Sequence, residues 1–265
     1  MFFVKKYISK KIKSPNIFEN RKKILKSKNK NLIFLLEKRF KWMKNYLKGK
    51  KCIIELGSGN GCIKKILKNK NIMLTDIIKY PWIDKKVDMI KINLGNKFKK
   101  KVDVFIINHS LHHCANPSRT LREISKFLKK DGLILINEPE TSFFLKLIQI
   151  ILDDESWSLK DNVFQRNRNL FSSKNPWVSN TAIAQLLFKD EKKFLYHFPN
   201  YKIEKNIVSE FLIFLNSGGV NSSFFHIKFS KIILNFIDCF DKFLIYLFPR
   251  VFAFNRTVVL RKILN

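Results

Sequence analysis

The residues best suited to chemistry fall in three places along the 265-residue chain. The first is Glu55-Leu56-Gly57-Ser58-Gly59-Asn60-Gly61-Cys62, an acid followed by glycines at every second position. Glycine lets a backbone turn with positive φ and come close to a ligand with no Cβ in the way. The free N–H groups that open the next helix favour an electron-rich ligand. The second place is Asp76, about 20 residues past Glu55, the separation that puts a carboxylate on a ribose in nucleotide-binding βαβ units. A carboxylate suits vicinal hydroxyls because it accepts both hydrogen bonds. The third is Asn108-His109-Ser110-Leu111-His112-His113, with Glu138 and Glu140 downstream. A neutral histidine is a competent base near pH 7.

The glycine spacing narrows the ligand. A dinucleotide site wants G-x-G-x-x-G, but Cys62 stands at the third position of that pattern and the glycine comes one residue early, at Gly61. A phosphate-cradling P-loop ends in Gly-Lys-Ser/Thr, a sequence absent from the chain.

The elements that must position these residues alternate. Helical spacing over 31–47 (Leu32, Leu35, Leu36, Phe40, Met43, Leu47) stops at Gly49, before the apolar pair Ile53-Ile54. Residues 72–75 read as a second strand ending in Asp76, and 87–94 as a short third strand that leaves Asn93 to pair with an adenine edge. Residues 102–108 form a buried strand, 117–128 a helix, Asp131-Gly132 a turn and 133–137 a fifth strand. Strand and helix in alternation give a parallel sheet covered on both faces. After Pro139 come an apolar stretch at 141–152, an acidic run Asp153-Asp154-Glu155, an irregular segment, a helix at 180–195, one or two strands within 201–215, an apolar helical region at 224–254 and a last strand at 256–261.

As an ordered ensemble, Glu55-x-Gly57-x-Gly59-x-Gly61, Asp76, Asn108 to His113, Asn116-Pro117, Phe127 to Gly132 and Ile136-Asn137-Glu138-Pro139 resemble the class I S-adenosylmethionine-dependent methyltransferases. The resemblance covers roughly residues 50–140 and is to the small-molecule branch that includes the ubiquinone/menaquinone-type enzymes. It implies a Rossmann-like, doubly wound, mostly parallel α/β sheet closed by a terminal antiparallel strand, with 220–254 as an insertion before that strand. It implies S-adenosylmethionine as cofactor, held by Glu55, Gly57, Ser58, Gly59, Gly61, Asp76, Asn93 and Asn108, and no metal. His109, His112, His113 and Glu138, from the ends of the fourth and fifth strands, are the catalytic candidates. Two departures stand out: Asn93 where an acid is usual, and Asp131-Gly132 in place of a double glycine.

Three regions follow: a basic arm at 1–30, a cofactor-binding core at 31–140, and a substrate-binding cap with closing strands at 141–265. The arm reads as an amphipathic segment on a membrane or over the cofactor site, or as a solvated leader. Lysine and arginine number 52 against 21 acids, a formal charge of +31. That charge fits nucleic acid, anionic lipid or an anionic substrate, and it also fits a compositional bias, since Ile, Asn and Phe are abundant too. Cys52, Cys62, Cys114 and Cys239 are scattered, so neither a disulfide framework nor a structural metal site is expected. Met1-Phe2-Phe3-Val4 runs at once into lysines, an expectation of no export leader and a cytoplasmic setting. The expected acceptor is a small lipidic or lipid-linked glycan-precursor molecule met at the inner membrane surface, methylated on oxygen or carbon. Two rivals stand beside it. RNA methylation draws on the charge but lacks an RNA-binding module. A cofactor-binding protein without turnover has the intact glycine loop and Asp76 against it.

Overall fold

The computed structural model describes residues 4–5, 16–152, 155–172, 175–220 and 224–264. Its frame is a seven-stranded sheet: β1 (Ile53–Leu56), β2 (Ile72–Asp76), β3 (Lys85–Lys86), β4 (Val102–Asn108), β5 (Leu128–Pro139), β6 (Tyr201–Ser209) and β7 (Asn255–Lys262). The spatial order is β3-β2-β1-β4-β5-β7-β6. Strands β1 to β5 run parallel, and β7 inserts antiparallel between β5 and β6.

Alternation along the central strands splits the core in two. Ile54, Leu56, Phe105 and Ile107 face one apolar cluster with α5 (Pro117–Phe127), α7 (Ile183–Phe188) and α8 (Glu191–His197). Ile53, Val104 and Ile106 face the other, with α2 (Lys30–Lys41), α3 (Met43–Leu47) and α4 (Ile63–Leu67). Residues i and i+2 of a strand share a face, so a run buried on both sides must be apolar throughout, as β4 is from Val102 to Ile107 but for Asp103. Register then places the carboxyl ends of β1, β4 and β5 side by side, with Leu56 opposite Ile107 and Asn108 opposite Asn137. That edge is where an open α/β sheet binds its ligand.

Three expectations are revised. The third strand is two residues long, because the chain turns at Asp88, whose Oδ1 accepts from the Ile90 N–H at 2.8 Å. Val87, Ile92 and Leu94 are buried as a packed loop, which mimics the alternation of a strand. The helix read over 180–195 is two helices, divided where the Asp190 side chain caps α8 on the Lys193 N–H. The arm is partly an ordered helix, α1 (Ile17–Leu25); of its remainder up to residue 15, only the Val4–Lys5 pairing with Trp157–Ser158 is described.

The insertion between β6 and β7 is helical: α9 (Leu212–Leu215), α10 (Lys231–Leu247) and α11 (Pro249–Phe252). Buried polar groups fasten it. Asp241 on α10 accepts the N–H groups of Phe211, Leu212 and Ile213 at 2.9–3.1 Å, and Arg39 on α2 grips Glu210 through three contacts of 2.6–3.0 Å. No helix among the described residues is long and apolar enough to cross a membrane.

Candidate active site

At the end of β1 the backbone of Gly57, Gly59 and Gly61 lies in the left-handed region, at φ +68°, +47° and +62°. A Cβ on Gly57 would stand 2.5 Å from the Ser110 Cβ and 2.6 Å from the Met89 Cε, and one on Gly61 2.6 Å from the Trp82 ring. Gly59 has nothing within 4 Å on its Cβ side. The turn is therefore pinched at both ends and open in the middle. Its middle N–H, on Gly59, donates to Asp76 Oδ2 at 2.8 Å, so the second-strand acid meets the glycine loop. Asp76 Oδ1 accepts from the Ile78 N–H at 3.0 Å. Each oxygen retains a lone pair for a hydroxyl donor, and burial raises this carboxyl above its ordinary range.

Glu55 is buried, with Oε2 lacking any hydrogen-bond partner. Burial pushes its carboxyl up to about 8. An orphaned acid beside a glycine cradle is what a ligand carrying both a cationic amino group and a ribose would complete, and Glu55, the Gly57–Gly61 backbone and Asp76 fit S-adenosylmethionine on that ground.

The loop is roofed by aromatic residues that sequence reading did not single out. Trp82 Nε1 donates to the Gly59 carbonyl at 2.8 Å, and Tyr80 stacks on Trp82 at 5.3 Å between centroids. Phe18 of α1 meets both rings edge-on, while Arg21 lies 4.5 Å over Trp82 and donates to the Asn60 carbonyl. The only signal in the sequence was Tyr80-Pro81-Trp82 directly after Asp76. The arm's helix thus lies over the glycine loop.

Other expected cofactor residues have structural work. Ser58 staples β1 to β2, its Oγ accepting from the Thr75 N–H at 3.1 Å. Asn108 accepts from Asn137 Nδ2 at 3.0 Å, and Asn137 in turn accepts from Asn255 and Thr257 of β7, a polar ladder across three strands. Asn93 lines a groove with Asn96, Lys99 and Phe127, while Met89 is the residue of that loop that lies against Gly57.

The histidines and Glu138 do come together. Glu138, fully buried at the end of β5, accepts the N–H groups of Ser110 and Leu111 at 2.7 Å and of His112 at 3.2 Å, plus His112 Nδ1 at 2.6 Å. It therefore organises the turn Leu111–His113 rather than acting as the base. His112 Nε2 lies 3.0 Å from Glu155 Oε1. Burial alone would depress His112, but Glu155 and Glu138 outweigh it and push the imidazole up to about 10. His112 is thus a cation at neutral pH, which corrects its expected role as a base. His113 is half-buried; burial and the adjacent His112 cation push it down to about 4. Its Nδ1 faces the Val178 carbonyl at 3.2 Å, leaving Nε2 with a free lone pair. His109, at φ +48°, is held neutral by burial and by Arg39, with a buried, unpartnered Nε2. Among the three, His113 and His109 are unprotonated at neutral pH. Glu155 entered the sequence only as one acid in a run of three; its pairing with His112 is 43 residues long-range and invisible to spacing.

The strand order, the antiparallel seventh strand and the glycine turn facing a ribose-range acid define a class I S-adenosylmethionine-dependent methyltransferase. The sequence profile of the family described as "Methyltransferase domain" matches residues 20–189, and the chain belongs to that family. Its fold is similar to that of a SAM dependent methyltransferase from Archaeoglobus fulgidus, at 17% identity and TM-score 0.50, covering 87% of this chain and 94% of that one. The sequence is also similar to a UDP-N-acetylmuramate–L-alanine ligase from Wigglesworthia glossinidia brevipalpis, 27% identical over 227 residues. That match takes in 78% of this chain, which spans under half (46%) of the ligase's length.

Proposed function

We propose that the chain methylates a small lipidic or lipid-linked acceptor while resting on an anionic membrane surface. The observation that carries this reading is α10. Its inner face packs through Leu234, Asp241 and Ile245, yet its outer face is also apolar: Ile232, Phe236, Phe243 and Tyr246 are all more than half exposed. An exposed apolar patch of this kind marks an interaction surface. Lys228, Lys231, Lys242 and Arg250 flank it, on a chain of net charge +31, which selects an anionic surface over a neutral one. The ligase relative is named for a UDP-linked sugar substrate, in keeping with a glycan-precursor acceptor; its ligation chemistry has no counterpart in the glycine loop here.

At the site the protein aligns, shields and deprotonates. S-adenosylmethionine, when bound, supplies an electrophilic methyl group that needs no metal to activate it. Gly57–Gly61, Asp76 and Glu55 would hold it, and Trp82, Tyr80 and Phe18 exclude water from the loop. His113 Nε2, neutral above pH 4, accepts the proton from an acceptor hydroxyl. The test is co-sedimentation with anionic vesicles, neutral vesicles and RNA across a salt series. It is followed by methyl transfer from labelled donor into extracted lipids. Retention on RNA alone, with no label in lipid, would overturn the reading.

A further inference from the structure

We propose that His112, His113 and Glu155 form a binding site for one divalent transition-metal cation of the zinc type, with Glu138 as its outer-shell carboxylate. The three side chains each offer a ligand atom, all within 4.8 Å of one another. Glu155 Oε1 lies 3.0 Å from His112 Nε2 and 3.7 Å from His113 Nε2. Tetrahedral zinc with bonds of about 2.0–2.1 Å sets its ligand atoms about 3.3 Å apart, and the two separations from Glu155 straddle that value.

The outer shell is what separates this cluster from a chance grouping. A metal-bound histidine turns its other ring N–H to a carboxylate or backbone carbonyl, which fixes the tautomer and aims the lone pair. Both histidines do so here. His112 Nδ1 is on Glu138 at 2.6 Å, and His113 Nδ1 is on the Val178 carbonyl at 3.2 Å. Both Nε2 atoms are thereby left to face Glu155. Gln149 also hydrogen-bonds the Glu155 carboxylate. Binding must displace the proton that His112 carries in the free protein; two carboxylates, two imidazoles then neutral and one dication leave no net charge in a largely buried pocket. Two imidazoles and one carboxylate suit zinc, cobalt, manganese or iron(II) better than magnesium or calcium, which prefer oxygen throughout. Three protein ligands also leave a coordination position open, the mark of a catalytic rather than a structural site. With the ion bound, His113 Nε2 is a ligand and no longer the base; the open position beside the histidine turn would instead take the acceptor's oxygen and ease loss of its proton. That use rests on the methyl-transfer reading above, whereas binding of the ion does not.

The experiment is titration of chelator-stripped full-length protein with zinc chloride by calorimetry, and with cobalt(II) followed by its visible absorption. One equivalent should bind, with a cobalt band of the intensity given by low-symmetry, four- or five-coordinate sites. His113→Ala, at a half-exposed position, should lose at least about 100-fold in affinity, and Glu138→Gln about 10- to 100-fold. Cys239→Ser, which alters the exposed thiol, should bind as the parent does. A reading independent of variants is protection of the histidine rings from diethylpyrocarbonate by zinc in the unaltered protein. Stoichiometric binding that survives His113→Ala, binding lost in Cys239→Ser, or failure of either ion to bind with no ring protection would each overturn the proposal. Loss of methyl transfer with intact zinc binding would instead strike at the methyl-transfer reading and leave the site standing.

Discussion

Glu55 makes the affinity for the methyl donor depend on pH, and the size of that dependence follows from its surroundings. The free protein holds the Glu55 carboxyl near 8 by burial, with Oε2 unpartnered. A cationic amino group seated there favours the ionised form, so the bound carboxyl returns toward its ordinary 4.5. Binding then releases a proton wherever free Glu55 is still protonated. The sign is fixed: affinity is flat above pH 8 and falls by about tenfold per unit below it. Between pH 8 and pH 6 the protonated fraction alone costs about 50-fold, or about 2.3 kcal/mol. The donor's own α-amino group titrates at about 7.7–8.0 and works in the opposite sense, gaining charge as pH falls. The difference between the parent and Glu55→Gln isolates the protein's share. Calorimetry at pH 6, 7 and 8 in buffers of different ionisation enthalpy would measure both affinity and protons released. The parent should release close to one proton per donor at pH 6 to 7 beyond what the Glu55→Gln variant releases. Identical pH profiles for the two would refute the placement of the amino group at Glu55.

Other outcomes follow from the same geometry. Gly57→Ala should destabilise the protein by about 1–3 kcal/mol in urea unfolding, since it combines φ +68° with a 2.5 Å contact to Ser110. Gly59→Ala, with open space at its Cβ, should cost only the left-handed strain of about 1 kcal/mol yet weaken donor binding. The pair His112–Glu155 should give a stability plateau between pH 4.5 and 6.5. His112 is raised, so its stabilisation is complete below 6.5 and is lost as pH rises through about 10; Glu155 is depressed to about 2, so its share is complete above 4.5 and is lost as pH falls. Comparing His112→Asn with the parent by thermal unfolding across pH should show both flanks flattened. Phe236→Ser and Tyr246→Ser should leave unfolding free energy within about 0.5 kcal/mol while each lowers partitioning into anionic vesicles by tenfold or more, the equivalent of about 1.5–3 kcal/mol of apolar burial.

What the sequence could and could not disclose divides along a physical line. Glycine turns, strand ends and apolar alternation are local, so the Gly57–Gly61 turn, the strand ending in Asp76 and strands β1, β2 and β4 were legible. Strand β5 was legible only from residue 133, since the turn expected at Asp131-Gly132 lies within a strand that begins at Leu128. Residues 87–94 misled because burial of Val87, Ile92 and Leu94 produces the same alternation in a packed loop as in a strand. Ionisation was illegible for a different reason. His112 and His113 are neighbours of one type, yet one is a cation and the other neutral, and the difference is made by Glu138 and Glu155, one from the next strand and the other from a loop beyond α6 (Phe143–Ile151). Charge state is a property of what the fold brings within about 4–6 Å, which no spacing rule records.

The same reasoning joins the two halves of the molecule. The α1–α2 segment touches the donor loop through Arg21 on the Asn60 carbonyl. It touches the insertion through Lys23 on the Gly219 carbonyl, Asn31 on the Asn216 and Ile227 carbonyls, and Arg39 on Glu210. Asn31 and Arg39 are buried, and a polar side chain taken out of water holds its place only while its partners remain. The insertion that presents Phe236 and Tyr246 outward is thus fixed to the helices that roof the glycine turn. A protein lying on a surface by α10 has its donor pocket at a set height and angle above that surface, which is the geometric condition for methylating an acceptor that does not leave the membrane.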